Sequence, residues 1–341
     1  MTMKPDAGPV VSVALCTYNG RAYLEGQLDS LLHQTRVPDE IVVFDDGSTD
    51  GTRQLLEQYS ELHRGLFRLH FNETNLGFGP NFRQAMEQCR GHIIFLCDQD
   101  DVWMPGKIEQ MLAALDASPE VNGVYCNGLL ISEQGADIPG TLWDGTFGGN
   151  DVPPALGRQL LFGWLGINNN CIIGCSVALR RSALPGIFNT WLPSEPWHDY
   201  LVVLKLSLRG KLQAMPEPLM YYRQHGAQTV GLRGHWKRRE EILFARDCWM
   251  GQWPQDKLDE VVRYFAFGLS QLERYRGQLV VTPEEARLYS EACKPVLQRL
   301  KQATKQWLSP MPWWPRKKKL AKHWLKGGEY LRVGLSDVLH M

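Results

Sequence analysis

Apolar residues in the first 130 positions come in short runs separated by polar turns. Between the runs they recur every three or four residues, the alternation a βαβ chain requires. Positions 10–16, 40–44, 66–71, 92–97 and 123–131 read as strands. Leu24, Leu28, Leu31 and Leu32 mark the inner face of a first helix, Leu55, Leu56, Tyr59 and Leu62 of a second, and Phe82, Ala85, Met86 and Cys89 of a third. Pro105 reads as a first-turn proline, with Ile108, Met111, Leu112 and Leu115 behind it. The pattern predicts a doubly wound, mostly parallel α/β sheet flanked by helices, in which ligands bind beyond the carboxyl ends of the strands. Residues 132–170, rich in Gly, Pro and Asn and weakly periodic, read as a long surface connection over the site. A further strand is expected at 172–180, a helix at 200–209 and an extended piece at 215–223. Past Gly231 the pattern turns helical, with Leu258, Val261, Val262, Phe265, Leu269 and Leu272 in one stripe. Two domains are therefore expected, 1–230 and an α-helical extension over 231–341.

At 341 residues, 44% hydrophobic and 22% charged, the chain is neither disordered nor collagenous nor a disulfide scaffold. The longest apolar stretch, 160–179, is interrupted by Asn168, Asn169 and Asn170, so no membrane-spanning helix is expected. The apolar run at 10–16 is short and lacks a small-residue cleavage site, so a cytoplasmic location is expected. Eight cysteines form no CxxC pair and lie mostly in apolar runs, as buried free thiols do.

Polar loops fall at three of the strand ends: Thr17-Tyr18-Asn19, Asp45-Asp46-Gly47-Ser48 and Asp98-Gln99-Asp100-Asp101. In the last, three carboxylates crowd together, and their mutual repulsion is costly unless a cation sits among them. Hard oxygen ligands suit Mg²⁺ or Mn²⁺. A solvated acidic turn would use the same residues; the position at a strand end favours the cation. In the second loop a residue can cap the following helix, and a carboxylate can accept a pyrimidine N–H. Thr17-Tyr18-Asn19 offers hydroxyls and a ring on which a base could stack, or a tight turn with Asn19 at positive φ. Trp197-His198-Asp199-Tyr200 sets a carboxylate among aromatics ahead of an apolar helix. Asp199 is there either an N-cap or a general base whose charged form its apolar neighbours disfavour. With no G-x-G-x-x-G and no G-x-x-x-x-G-K-[ST], neither a dinucleotide site nor a P-loop is expected.

Taken in order, Val11-Ser12-Val13, Thr17-Tyr18-Asn19-Gly20, the stretch from Ile41 to Asp50, Asn75-Leu76-Gly77, Asp98-Gln99-Asp100-Asp101-Val102-Trp103 and Trp197-His198-Asp199 resemble family 2 glycosyltransferases of the GT-A fold. Within that family they are most similar to the bacterial rhamnosyltransferase-like branch. The resemblance implies inverting transfer of one sugar from a nucleoside diphosphate sugar, dTDP-rhamnose or a UDP-sugar, to a hydroxyl of a lipid-linked or surface-glycan acceptor. It implies Thr17, Tyr18, Asn19, Asp46 and Asn75 at the nucleoside, Asp98 at the ribose or diphosphate, and Asp100 with His225 at Mg²⁺ or Mn²⁺. Asp199 would be the base, with Trp197 and His198 on the acceptor side, and Arg223 would reach the diphosphate. The QxxRW motif of processive synthases is absent, so a single transfer is expected. The competing readings are a metal-dependent phosphatase, whose nucleophile belongs on the first strand, a sugar nucleotidyltransferase, which wants a Gly-rich triphosphate loop there, and a non-catalytic membrane-surface scaffold.

Charge is balanced overall but not along the chain: residues 231–341 hold 21 Lys and Arg against 12 Asp and Glu. From Lys294 to Arg332 there are 11 basic residues and one acid, interleaved with Trp307, Trp313, Trp314 and Trp324. Cations beside interfacial aromatics predict peripheral attachment of 307–332 to the cytoplasmic face of the inner membrane. A nucleic-acid partner is not expected, because the body of the chain is acidic. The sequence does not specify an oligomeric state.

Overall fold

The computed structural model describes residues 10–168, 171–188, 198–228, 239–280 and 282–310. Its contacts divide the chain into two units, Met1–Gly157 with Ile172–Arg239, and Arg158–Cys171 with Glu240–Met341.

The first unit is built on one nine-stranded sheet in the order β3-β2-β1-β4-β8-β6-β9-β5, with β7 paired to β6. β1 (Val11–Thr17), β2 (Glu40–Asp45), β3 (Phe67–Phe71) and β4 (Ile93–Cys97) form its parallel half. Every residue of β1, β2 and β4 is buried, as in a sheet covered on both faces. The crossovers are α1 (Arg21–Leu32), α2 (Thr52–Leu62) and α3 (Phe78–Gln88). Leu24, Leu28 and Leu31 of α1 and Phe82, Ala85 and Met86 of α3 are buried as expected, whereas Leu62 is 76% exposed because α2 ends there. Thr17 pairs with Asp45, Asp45 with Phe71, and Leu15 with Cys97. This register brings the three polar loops out along one edge.

Beyond β4 the sheet is mixed. β5 (Val102–Trp103), β6 (Gly123–Ser132), β7 (Asp137–Thr141), β8 (Val177–Arg180) and β9 (Leu212–Gln224) pair antiparallel except for β6 with β9. The expectation of a mostly parallel sheet therefore holds only as far as β4. α4 (Lys107–Ala117) opens after Gly106, leaving Pro105 just outside it.

The expected surface connection at 132–170 is instead ordered as β7, α5 (Leu142–Thr146) and α6 (Val152–Asn168). Its glycines supply turns at positive φ (Gly135, Gly140, Gly148, Gly149), while Leu142, Trp143 and Phe147 are buried and Thr141 and Asp144 form a capping box. Further on, the strand expected from residue 172 starts only at Val177, because a 3₁₀ turn, Gly174–Ser176, precedes it. After α7 (Pro185–Phe188), α8 (His198–Leu208) is buried along its whole length.

In the second unit, α9 (Arg239–Met250) is followed by α10 (Leu258–Leu279) and α11 (Pro283–Leu308). Its core holds Trp164, Trp249, Val261, Phe265, Leu272 and Val296. A Cβ on Gly163 would stand 2.6 Å from Trp249 Cη2 and 2.8 Å from Val296 Cγ2, so only glycine allows this approach. Thr282 and Glu285 form a capping box at the start of α11, with Pro283 in its first turn. Trp307, counted above among the interfacial aromatics, is buried near the end of α11. The rest of the basic tail, with Trp313, Trp314 and Trp324, lies outside the described residues. No helix among the described residues is long and apolar enough to cross a membrane. All eight cysteines are free, and all but Cys293 are buried.

Candidate active site

The loops after β1 and β2 are knitted into one surface. Thr17 Oγ1 donates to Asp45 Oδ1 at 2.9 Å, and Asp45 also accepts from Ser48 N, Ser48 Oγ and, at 2.8 Å, Arg53 Nε. Asn19 has a φ of 47°, and its Oδ1 accepts from Thr49 N while its own amide donates to Ser48 Oγ. The tight-turn reading of Asn19 is thus realised. Tyr18 between them is 49% exposed.

Asp46 is buried and accepts from Leu76 N at 2.8 Å, Gly77 N at 2.9 Å and Asn72 Nδ2 at 2.9 Å. Asn75 Oδ1 receives the same Gly77 amide at 3.0 Å. In this state Asp46 and Asn75 hold the Asn75-Leu76-Gly77 loop against the end of β2. The cap expected from this loop is not formed: Gly51, at a φ of 95°, is the N-cap of α2 with no side-chain cap, and Asp50 before it accepts from Thr52 N and Thr52 Oγ1.

Gln99 is a residue that pattern reasoning missed. Its Oε1 accepts from Tyr18 N at 2.9 Å and its Nε2 donates to Tyr18 O at 3.0 Å, so it pairs with both backbone groups of that residue. A Cβ on Gly20 would stand 2.0 Å from Gln99 Oε1, so a side chain there would break the pairing. Gln99 thereby ties the first loop to the acidic one.

Around Asp98, Asp100 and Asp101 the expected crowding is real. Burial, followed by repulsion from Asp100, Asp101 and Asp199, raises the Asp98 carboxyl well above the ordinary carboxylate range. Asp101 is fully buried and pushed up to about 7 by burial and by the Asp100 charge. Its Oδ1 accepts from Arg223 N at 3.1 Å, while Oδ2 is buried with no hydrogen-bond partner among the described residues. Asp100 Oδ2 meets His225 Nε2 at 2.7 Å. The His225 ring lies 4.4 Å from that of Tyr23, whose hydroxyl donates to Glu133.

These residues fit a divalent cation. Carboxylate oxygens crowd one loop, one of them is buried with no hydrogen-bond partner among the described residues, and burial followed by repulsion between the carboxylates holds two of the carboxyls against ionisation. Among the described residues, an oxygen each of Asp98 and Asp101 and the Sγ of Cys175 lie within 4.8 Å of one another, a group that holds neither Asp100 nor His225, the two residues expected at the metal.

Two cationic side chains here bind main-chain carbonyls. Arg223, expected at the diphosphate, gives Nε to Asp100 O at 2.7 Å and Nη1 to Ser132 O and Glu133 O, and its guanidinium lies over the Tyr23 ring. It orders the acidic loop through main-chain carbonyls, because β9 delivers it alongside Ile131 of β6. Lys107 is fully buried, donates to Cys175 O at 2.6 Å and lies 4.1 Å from the Trp103 ring centroid. Nothing in the periodicity of α4 singles it out.

Asp199 lies in the first turn of α8 and is 8% exposed. Its Oδ2 accepts from Gly174 N at 3.1 Å and its Oδ1 from Tyr200 N at 2.8 Å. Its charge is felt at Asp98. The 3₁₀ turn thus touches both carboxylate groups, Asp199 through Gly174 and the acidic loop through Cys175. His198 is buried, stacked on Phe82 at 4.0 Å, and held below the ordinary histidine pKa by burial, which the Asp199 charge only partly offsets. Trp197 lies outside the described residues.

One end of the sheet therefore carries a polar edge, an acidic loop and a separate buried carboxylate. Among proteins of known structure the chain resembles the mannosyltransferase PcManGT from Pyrobaculum calidifontis, solved with GDP-Man and Mn²⁺. The TM-score is 0.52 at 18% identity, over 97% of this chain and 87% of that one. A glycosyltransferase of Haemophilus influenzae is 31% identical over 233 residues, 67% of this chain and 69% of its own length. One from a Nostoc species is 30% identical over 226 residues, 64% and 66% of the two chains. Residues 12–188 match the model of glycosyl transferase family 2. With that match over more than half its length and the strand-end loops in place, the chain belongs to glycosyl transferase family 2.

Proposed function

We propose that the protein transfers one sugar, with inversion, from a nucleoside diphosphate sugar to an acceptor hydroxyl. The observation that carries the reading is the meeting, at one end of the sheet, of the Asp98-Gln99-Asp100-Asp101 loop with Asp199, whose charge reaches Asp98. Thr17, Tyr18, Asn19, Asp46 and Asn75 bound the nucleoside end, and the half-exposed Tyr18 ring offers a stacking surface. Asp100 and His225 would hold the divalent cation, with Asp98 and Asp101 beside them. Bound there, Mg²⁺ or Mn²⁺ would neutralise the charge that builds on the departing diphosphate. The Mn²⁺ of the Pyrobaculum enzyme supports this choice of cofactor.

Asp199 takes the proton of the acceptor hydroxyl. Two amide hydrogen bonds fix its carboxylate, and attack from its side of the sugar, opposite the leaving diphosphate, inverts the anomeric carbon. The donor is dTDP-rhamnose or a UDP-sugar, and the acceptor is a lipid-linked or surface glycan reached from the membrane surface. The similarity of 106 residues, at 37% identity, to a putative teichuronic acid biosynthesis glycosyltransferase of Bacillus subtilis supports a glycan acceptor. Family membership sets aside the phosphatase and nucleotidyltransferase readings.

Thermal unfolding with UDP, dTDP and GDP, each with and without Mn²⁺ or Mg²⁺, tests the reading. One diphosphate at about 100 times its Kd should raise the midpoint by several degrees, only with the metal present and not in Asp100→Asn. A metal-independent shift, or none, would remove the donor-site assignment.

A further inference from the structure

His198 is 5% exposed, and neither of its ring nitrogens has a hydrogen-bond partner among the described residues. Buried polar atoms are nearly always paired, so an imidazole with both nitrogens unmatched calls for a partner that the described residues do not supply. The ring is firmly placed: it stacks on Phe82 at 4.0 Å and 9°, and Phe78 meets its edge at 6.2 Å. Both phenyl rings belong to α3, which opens just past the Gly77 amide held by Asp46. On the other side a Cβ on Gly174 would come within 3.3 Å of Nε2, so glycine keeps that edge of the ring free of side chain. The next residue is the proposed base.

We infer that His198 is the hydrogen-bond partner of a sugar hydroxyl at the base end of the site, and that it helps set which sugar is accepted. The inference rests on the transferase reading above. A hydroxyl is the matching chemistry, because an imidazole kept neutral by burial offers one donor and one acceptor, as a hydroxyl does. A phosphate would instead call for a cation. The hydroxyl belongs to the donor hexose or to the acceptor ring, and the two are separable.

The full-length protein, ¹⁵N-labelled at histidine, is titrated with UDP, dTDP or GDP plus Mn²⁺, then with UDP-glucose, dTDP-rhamnose or GDP-mannose, then with added methyl hexosides. The His198 ring signal should stay put with the diphosphate and move with the sugar nucleotide, which identifies the donor hydroxyl. Movement only on adding the hexoside identifies the acceptor hydroxyl. No movement at any step, with nucleotide bound, overturns the inference. If no nucleotide binds, the transferase reading fails first, and this inference with it.

His198→Phe keeps the packing on Phe82 and removes both nitrogens. Its kcat/KM for the parent sugar should fall about tenfold or more, while one monodeoxy analogue of that sugar is hardly affected. His198→Gln, which retains a donor and an acceptor, should recover part of the discrimination. It also serves as the second variant if His198→Phe folds poorly. Equal losses for parent and all deoxy sugars would assign His198 to packing alone.

Discussion

Asp199 accepts one main-chain amide on each carboxylate oxygen, so Asp199→Asn removes the base, keeps one of these hydrogen bonds and sets its Nδ2 donor against the other amide. Asp199→Asn should lower kcat at least 100-fold, the usual scale for a lost general base, and leave the nucleoside diphosphate Kd within about twofold. A variant that turns over normally would remove Asp199 as the base. His198 gives the residue scale a pH signature. The unfolded chain takes up its proton from about pH 6.5 downward and the buried ring resists it, so this contribution leaves stability intact above pH 6.5 and erodes it as the pH falls. Between pH 7 and 5 the unfolding midpoint should therefore drop less in His198→Phe than in the parent. Parallel curves would contradict the assignment. Asp98, Asp100, Asp199 and His225 were legible because charged residues at strand ends and helix starts stand out from an apolar background. Gln99, Lys107 and Cys175, and the main-chain contacts of Arg223, rest on partners 68 to 123 positions away, and no local pattern carries such contacts.

Among elements, β1, β2 and β4 announce themselves as unbroken apolar runs because both faces of the parallel half are covered. β7, with sequence DIPGT, carries no alternation; it forms because β6 offers an edge. The Gly174–Ser176 turn is hidden inside an apolar run that reads as strand, and its form is decided by the Asp199 and Lys107 contacts. In the helical unit, Gly163 tests packing against propensity. Gly163→Ala gains about 1 kcal/mol of helix propensity, but the Trp249 ring and Val296 must yield to a Cβ, which costs about 1–3 kcal/mol. The clash should win, and the unfolding midpoint should fall by a few degrees. A rise would mean that Trp249 re-seats without penalty.

Taken whole, the chain separates its charges: residues 1–230 hold 16 Lys and Arg against 25 Asp and Glu, and the remainder reverses the excess. Binding to vesicles containing anionic lipid should therefore be strong at low salt and weaken as salt screens it. Reversing Lys317, Lys318 and Lys319 to Glu should abolish it while leaving the diphosphate-induced thermal shift unchanged. Vesicle binding that survives both salt and reversal would assign attachment to another part of the chain.

The amide of Gly174 sets a boundary on how such an enzyme can diversify. A carboxylate seated by a side chain can be unseated by any substitution of that side chain, whereas this one is held by a donor present in every residue except proline. Drift in the identity of residues 173, 175 and 176 can reshape the neighbourhood of the base without releasing it, whereas a Cβ on Gly174 would stand 3.2 Å from Asp199 Cβ and press on the base itself. Insertions and deletions in the turn cannot, because they move the amide itself. Lineages that explore new sugars from this scaffold should thus vary the turn in composition while keeping its length.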